Sequence, residues 1–227
     1  MKKRELIVSC LVVGMIVVAN WHATSAAPEP ELIITWKAST YVPADYRGKI
    51  IPTSRSNVVA AVELLDSGTL VNISKQTIYW YLDDEFLSGG AGGQSVRLLT
   101  GNVPGGTHTL RAQIPNYKNR TLVKSVEIPI SSPEAVIEAP IAGNFLSAPQ
   151  LTVRGLPYFF NVRRPEQLLF SWSVNGQAPP NAENSQELAV TVGSAARSGK
   201  TFAIKLTVQS QQNILEAART TKFYTVR

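Results

Sequence analysis

The sequence predicts an all-β chain: two antiparallel sandwiches in tandem behind an N-terminal leader. Three observations predict it. Thr77–Asp83 (TIYWYLD) and Leu169–Asn175 (LFSWSVN) repeat one alternating pattern with a tryptophan near its centre. Trp80 and Trp172 lie 92 residues apart, the span of one small sandwich. Short alternating segments recur between turn signals, and helical i, i+3, i+4, i+7 spacing appears only weakly, near Ile214–Ala218.

Residues 1–27 read as a leader. Lys2, Lys3 and Arg4 form a positive start, Leu6 to Ala19 is an uncharged run of 14 residues, and small residues around Thr24 and Ala26 fit a cleavage site before Ala27. A run of 14 is short for a bilayer span of about 20 residues, so a signal peptide is expected, with a retained N-terminal membrane anchor as the alternative. Positive residues at the start keep the N-terminus inside, so the remainder is exported in either case. Ile7-Val8-Ser9-Cys10 has the form of a lipobox. Within the uncharged run only Leu6 to Ser9 precede that cysteine, too few for a signal's apolar region, and the run continues past it, which places Cys10 within that run.

The first module is expected over 28–131. Leu32–Ala38 reads as a strand, followed by a loop from Ser39 to Asn57 rich in Pro, Gly and Tyr. Val58–Leu65 is the next strand, closed by the turn signal Asp66-Ser67-Gly68. In Thr77–Leu82, Ile78, Trp80 and Leu82 share one face and Tyr79 and Tyr81 the other. Ser88–Gly93 reads as a flexible Gly-rich loop before Ser95–Leu99. In Thr107–Ile114, His108, Leu110 and Ala112 share a face, and Thr121–Ile130 closes the module.

The second module is expected over 132–227. Leu151–Val153 is a short strand, and Tyr158–Val162 is aromatic-rich. Phe170, Trp172 and Val174 oppose Leu169, Ser171 and Ser173, and Asn175–Ser185 is a turn and loop. Leu188, Val190 and Val192 alternate with polar or small residues, as do Phe202, Ile204, Leu206 and Val208, and Phe223–Arg227 ends the chain. Leu110 follows Trp80 by 30 residues and Ile204 follows Trp172 by 32, so Trp80, Trp172, Leu110 and Ile204 are the expected structural core.

Composition excludes several function classes. Net charge is +6, and +4 without the leader's three bases and one acid. Lys and Arg are dispersed, with Arg163-Arg164 the densest spot, so no nucleic-acid footprint is expected. Cys10 is the one cysteine, so the modules hold without disulfides, and no thiolate metal site or cofactor is expected. His108 is the only histidine after the leader, and the second module has no His, Asp or Cys. A Ser-His-Asp triad around His108 is set against its place on the strand face where the second copy has Phe202, and no catalytic residue is assigned. Asp83-Asp84-Glu85 reads as a charged turn; it lacks the D-x-[DN]-x-[DN]-G pattern of a calcium loop. Gly89–Gly93 lacks the Gly-Lys-Ser/Thr ending of a phosphate loop. The sequons at Asn72 and Asn119 fall in loops or strand ends.

Tyr79-Trp80-Tyr81-Leu82-Asp83-Asp84 and Phe170-Ser171-Trp172-Ser173-Val174-Asn175-Gly176 are followed by Gly106-Thr107-His108-Thr109-Leu110 and Gly199-Lys200-Thr201-Phe202-Ala203-Ile204. This arrangement resembles bacterial Ig-like domains of the polycystic-kidney-disease (PKD) type, without their W-D-F-G-D-G-like turn. With Tyr41-Val42-Pro43 and Tyr46-Arg47-Gly48-Lys49 it also resembles exported two-domain proteins of small-genome environmental bacteria. The resemblance implies two tandem Ig-like antiparallel β-sandwiches and no activity.

The expected function is therefore an exported, non-catalytic surface or extracytoplasmic protein, secreted or held at the cell surface, contacting another envelope protein or a surface glycan. An accessory subunit of a pilus or secretion apparatus is the nearest alternative, and a sandwich-fold hydrolase a more distant one. Tyr41, Tyr46, Arg47 and Lys49, on the loop Tyr41–Arg55, are the expected binding residues, since Tyr and Arg are favoured at hot spots. Tyr79 and Tyr81 are expected either to stack a sugar or to face the neighbouring module. Sandwich edges are able to pair with another chain, and nothing in the sequence fixes the oligomeric state.

Overall fold

The computed structural model describes residues 28–102, 105–180, 184–192 and 198–227. The expected leader and the cleavage site expected before Ala27 lie outside the described residues. Between 31 and 129 the chain forms two sheets. One contains β1 (Glu31–Ala38), β2 (Asn57–Asp66), β3 (Thr69–Val71) and β6 (Ser95–Leu99), with β1 on one side of β2 and β3 and β6 on the other. The second runs β5-β4-β7-β8, from β4 (Thr77–Leu82), β5 (Glu85–Ala91), β7 (Thr107–Tyr117) and β8 (Arg120–Pro129). All these pairings are antiparallel.

Residues 134–226 repeat the plan. β9 (Glu134–Glu138), β11 (Gln150–Tyr158) and β13 (Glu187–Thr191) form one sheet, in the order β13-β11-β9. The other runs β10-β15-β14-β12, from β10 (Phe145–Leu146), β12 (Leu168–Val174), β14 (Thr201–Ser210) and β15 (Ala217–Val226). Two differences stand out. β10 adds to β15 in parallel. The second module has no counterpart of β5 among the described residues, because Pro179 and Pro180 follow the turn where β5 would run, and proline donates no ladder hydrogen bond.

Each pair of sheets encloses one apolar core. The first gathers Val58, Val62, Leu64, Ile78, Trp80, Leu110 and Ile114; the second gathers Phe160, Leu168, Trp172, Ile204, Leu206 and Tyr224. Strand alternation produces them: β2 is buried at every second residue from Val58 to Asp66. The chain is thus two tandem Ig-like antiparallel sandwiches.

The tryptophan repeat extends to hydrogen bonds. Trp80 Nε1–H donates to the carbonyl of Gly93 at 2.8 Å, and Trp172 Nε1–H to that of Ser185 at 2.8 Å, each 13 residues downstream. Leu82 pairs with Leu110 as Val174 pairs with Ile204. Each strand then enters a two-residue turn with left-handed backbone at both positions, Asp83-Asp84 (φ 50° and 67°) and Asn175-Gly176 (φ 51° and 82°). That is the hairpin turn matched to strand twist, and Asn, Asp and Gly tolerate it best. The first turn residue also caps the neighbouring strand: Asp83 Oδ1 accepts from Thr109 N–H, and Asn175 Oδ1 from Ala203 N–H.

The Gly-rich segment Ser88–Gly93 corrects the flexible-loop expectation. Its first part lies in β5, paired with β4 from Thr77↔Ala91 to Leu82↔Glu85. Glycine is required there because the Tyr79 ring lies against the strand: a Cβ on Gly89 would stand 2.4 Å from Tyr79 Cδ1. An aromatic ring covering an edge glycine shields backbone that the missing side chain leaves bare. The weakly helical Ile214–Ala218 is also corrected, forming a turn and the start of β15.

Candidate functional site at the joint between the modules

The loop Ser39–Ser56 meets the second module. Tyr41 N–H donates to the Phe160 carbonyl at 2.8 Å, and the Tyr41 carbonyl accepts from Phe159 N–H at 2.7 Å. Tyr46 sets its ring edge-on to Tyr158 (5.7 Å) and Phe159 (5.8 Å), and its hydroxyl donates to the Lys49 carbonyl. Lys49 Nζ sits 3.5 Å from the centre of the Trp36 ring, and Arg47 is exposed. Tyr41 and Tyr46 are therefore brought together on the second module, while Lys49 is turned back onto the first. Phe159 holds φ 62°, a left-handed conformation that costs an ordinary residue about 1–3 kcal/mol. Pairing with Tyr41 and contact with Tyr46 hold it there.

Beside the aromatics lies a shielded polar cluster. Thr100 Oγ1 donates to the Thr53 carbonyl and accepts from Ser56 N–H, and Thr53 N–H donates to Ser56 Oγ. Thr53, Ser56 and Thr100 are all buried. Asn161 reaches across from the second module. Its Nδ2 donates to the Ser54 carbonyl (2.9 Å) and to Thr53 Oγ1 (3.2 Å), and its Oδ1 accepts from Ser56 Oγ. Asn161 N–H in turn donates to Glu216 Oε1 at 2.6 Å. Glu216 is 7% exposed. Burial pushes its carboxyl above the usual glutamate range, against the pull of the Asn161 N–H and the Ser210 hydroxyl. No cation pairs with it among the described residues.

A cleft of about 410 Å³ opens at this joint. Ser54, Arg55 and Asn102 line it from the first module, Ser131 and Pro133 from the connection, and Asn213, Leu215 and Glu216 from the β14–β15 loop. That loop is internally braced: Asn213 Oδ1 accepts from Leu215 N–H, the Asn213 carbonyl from Glu216 N–H, and the Ile214 carbonyl from Gln209 Nε2. It nevertheless holds Ile214 at 73% and Leu215 at 89% exposure. Ser54 Oγ is shielded from solvent and has no partner among the described residues. Clefts between domains with converging polar groups and a perturbed carboxyl are the preferred ground for binding sites.

The other candidates are engaged internally. Tyr79 covers Gly89 and packs near Phe86, and the Arg111 guanidinium lies 4.3 Å over the Tyr81 ring. One ring face of each tyrosine is thus occupied, and Phe86, 63% exposed, stands at a steep angle to both. His108 Nδ1 donates to Asp83 Oδ2, and His108 Nε2 accepts from Gly101 N–H at 2.9 Å, so both ring nitrogens are committed. Burial alone would raise Asp83, but the Thr109 N–H and His108 hold it below the usual aspartate range. Asp84 pairs with Arg111 at 3.1 Å. No group of three metal-binding side chains occurs among the described residues.

Sequence reasoning placed weight on the loop Tyr41–Arg55 and missed Asn161, Glu216 and the Ile214-Leu215 tip. Asn161 and Glu216 find their partners 55 to 108 residues away, which no local pattern signals. The tip carried one signal, two adjacent aliphatics between Asn213 and Glu216 outside any alternating run.

No family model and no curated protein sequence matches the chain. Solved structures show similar folds. The fibronectin(III)-like modules of Clostridium thermocellum CbhA align over 86% of this chain and 93% of theirs, at 11% identity and TM-score 0.30. Three N-terminal domains of the bacteriophage RB49 outer capsid protein Hoc align over 87% and 59%, at 12% identity and TM-score 0.41. Immunoglobulin domains 1–4 of Sidekick-1 align over 87% and 69%, at 12% identity and TM-score 0.28. At such identities the likeness is one of fold alone.

Proposed function

We propose that this chain is an exported, non-catalytic contact protein that engages its partner at the joint between its two Ig-like modules. The observation that carries the reading is the exposed Ile214-Leu215 tip, held on a braced loop beside a polar cleft. What singles this pair out among the chain's exposed apolar residues is that Leu215 also lines the polar cleft, where it offers a partner an apolar anchor. The leader expected over residues 1–27 supports export. The commitment of both His108 nitrogens supports a non-catalytic role. The partner is another envelope protein or a surface glycan. The test is capture from envelope extract with the mature chain and its Leu215→Asp variant. The wild type should retain a component that the variant loses; identical capture by both refutes the assignment of the joint.

A further inference from the structure

We propose that the joint cleft receives an extended polypeptide segment of the partner that carries an aliphatic side chain beside a lysine or arginine. The inference rests on the joint being the contact site. Each part of that description answers a group on the cleft wall. Leu215 and Pro133 form its apolar side, and Ile214, next to Leu215 in the loop, is 73% exposed. An aliphatic side chain laid against Leu215 would cover a residue now 89% exposed. Glu216 supplies the charge. The residue is 7% exposed and lines the cleft; its carboxyl accepts from the Asn161 N–H at Oε1, is drawn on by the Ser210 hydroxyl, and has no cation partner among the described residues. A buried carboxylate without a counter-ion is costly, and an arriving ammonium or guanidinium relieves that cost.

The remaining groups suit a peptide backbone, which presents alternating donors and acceptors. Asn102, Asn213 and Arg55 line the cleft. Asn213 uses its carbonyl oxygen on Leu215 N–H, leaving its amide hydrogens. Arg55 is exposed and offers donors to backbone carbonyls. A saccharide would use the same amides but would leave the aliphatic pair without a role. Asn161 fixes the two walls relative to each other, so the cleft is formed before the segment arrives, which lowers the ordering cost of binding.

The test is a phage-displayed library of random linear peptides panned on the mature chain, with isolated peptides then titrated against variants. Enriched sequences should share an aliphatic residue within two positions of Lys or Arg. Leu215→Asp should weaken them about tenfold or more, as expected for loss of an apolar anchor. Leu215 is solvated, so this variant keeps the fold, checked by circular dichroism. Glu216→Gln, of the same shape, should abolish the preference for Lys or Arg over Gln in the peptide while leaving the aliphatic requirement. Failure to enrich peptides, enrichment without a basic residue, or equal binding to Leu215→Asp overturns the inference. So does concentration-dependent dimerisation of the mature chain that Leu215→Asp abolishes, because a second copy would then occupy the cleft. If envelope capture still depends on Leu215 but yields a glycan, the peptide inference fails and the joint stands as the contact site. If capture does not depend on Leu215, the joint itself fails.

Discussion

Replacing Asn161 with alanine tests whether the two modules behave as one body. The side chain makes three hydrogen bonds to the first module, to Thr53 Oγ1, the Ser54 carbonyl and Ser56 Oγ. Each such bond is worth a net 0.5–1.5 kcal/mol, so their loss should cost about 1.5–4.5 kcal/mol. The upper half of that range is favoured, because Thr53 and Ser56 are 2% and 1% exposed and water reaches them poorly once abandoned. The Tyr41–Phe160 backbone pairing, and the bond from the Asn161 backbone N–H to Glu216 Oε1, do not use the Asn161 side chain and remain. The loss should therefore fall on coupling between modules and spare the two cores. Differential scanning calorimetry reads this directly. The wild type should unfold in one transition or two closely merged ones. The variant should show two separated transitions, with the lower midpoint falling by several degrees; a 100-residue module loses about 4–8 °C per kcal/mol. An unchanged profile, or a uniform fall of both midpoints without separation, would refute the reading of Asn161 as the coupling residue.

Three further outcomes are expected. Trp172→Ala removes a buried ring and orphans the Ser185 carbonyl; it should cost about 3–5 kcal/mol and unfold mainly residues 134–226, as read by amide exchange, with protection of β2 and β7 retained. Glu216 binds its proton more tightly in the folded chain, so stability should fall as pH rises from the ordinary glutamate range through its raised folded value, then level off; Glu216→Gln should gain on the wild type across that window, and parallel melting curves would contradict this. Asp83 has the opposite sign: its folded pKa is depressed, so its contribution is present above the ordinary aspartate range and lost as pH falls through the folded value. Asp83→Asn should show a smaller loss of melting temperature in acid than the wild type.

The central strands were legible in the sequence because their signal is local. Trp80 and Trp172 sit in alternating runs, and the faces assigned to them are those the structure buries. β5 was illegible because glycine carries no side chain to alternate; its pairing depends on Tyr79, a residue on the neighbouring strand. β9 and β10 were missed because one is five residues long and the other two, and their stability comes from β11 and β15. At the joint, Tyr and Arg composition pointed to the loop Tyr41–Arg55, whose Thr53, Ser54 and Arg55 line the cleft while Tyr41, Tyr46, Arg47 and Lys49 do not. The polar bonds from Asn161 span more than 100 residues of sequence and left no local signal.

The two indole hydrogen bonds also bear on the order in which the chain folds. Each closes a loop of 13 residues, from the tryptophan strand to the segment just before the next strand of the opposite sheet. Closing so short a loop carries a small entropic cost and brings both sheets of a module together early. A chain delivered N-terminus first can therefore complete the core around Trp80 before residues 134–226 arrive. The joint cannot form until Phe160 and Asn161 follow. The cleft draws its lining from residues 53–55 and 102 as well as from 213, 215 and 216, so it exists only once both modules have folded.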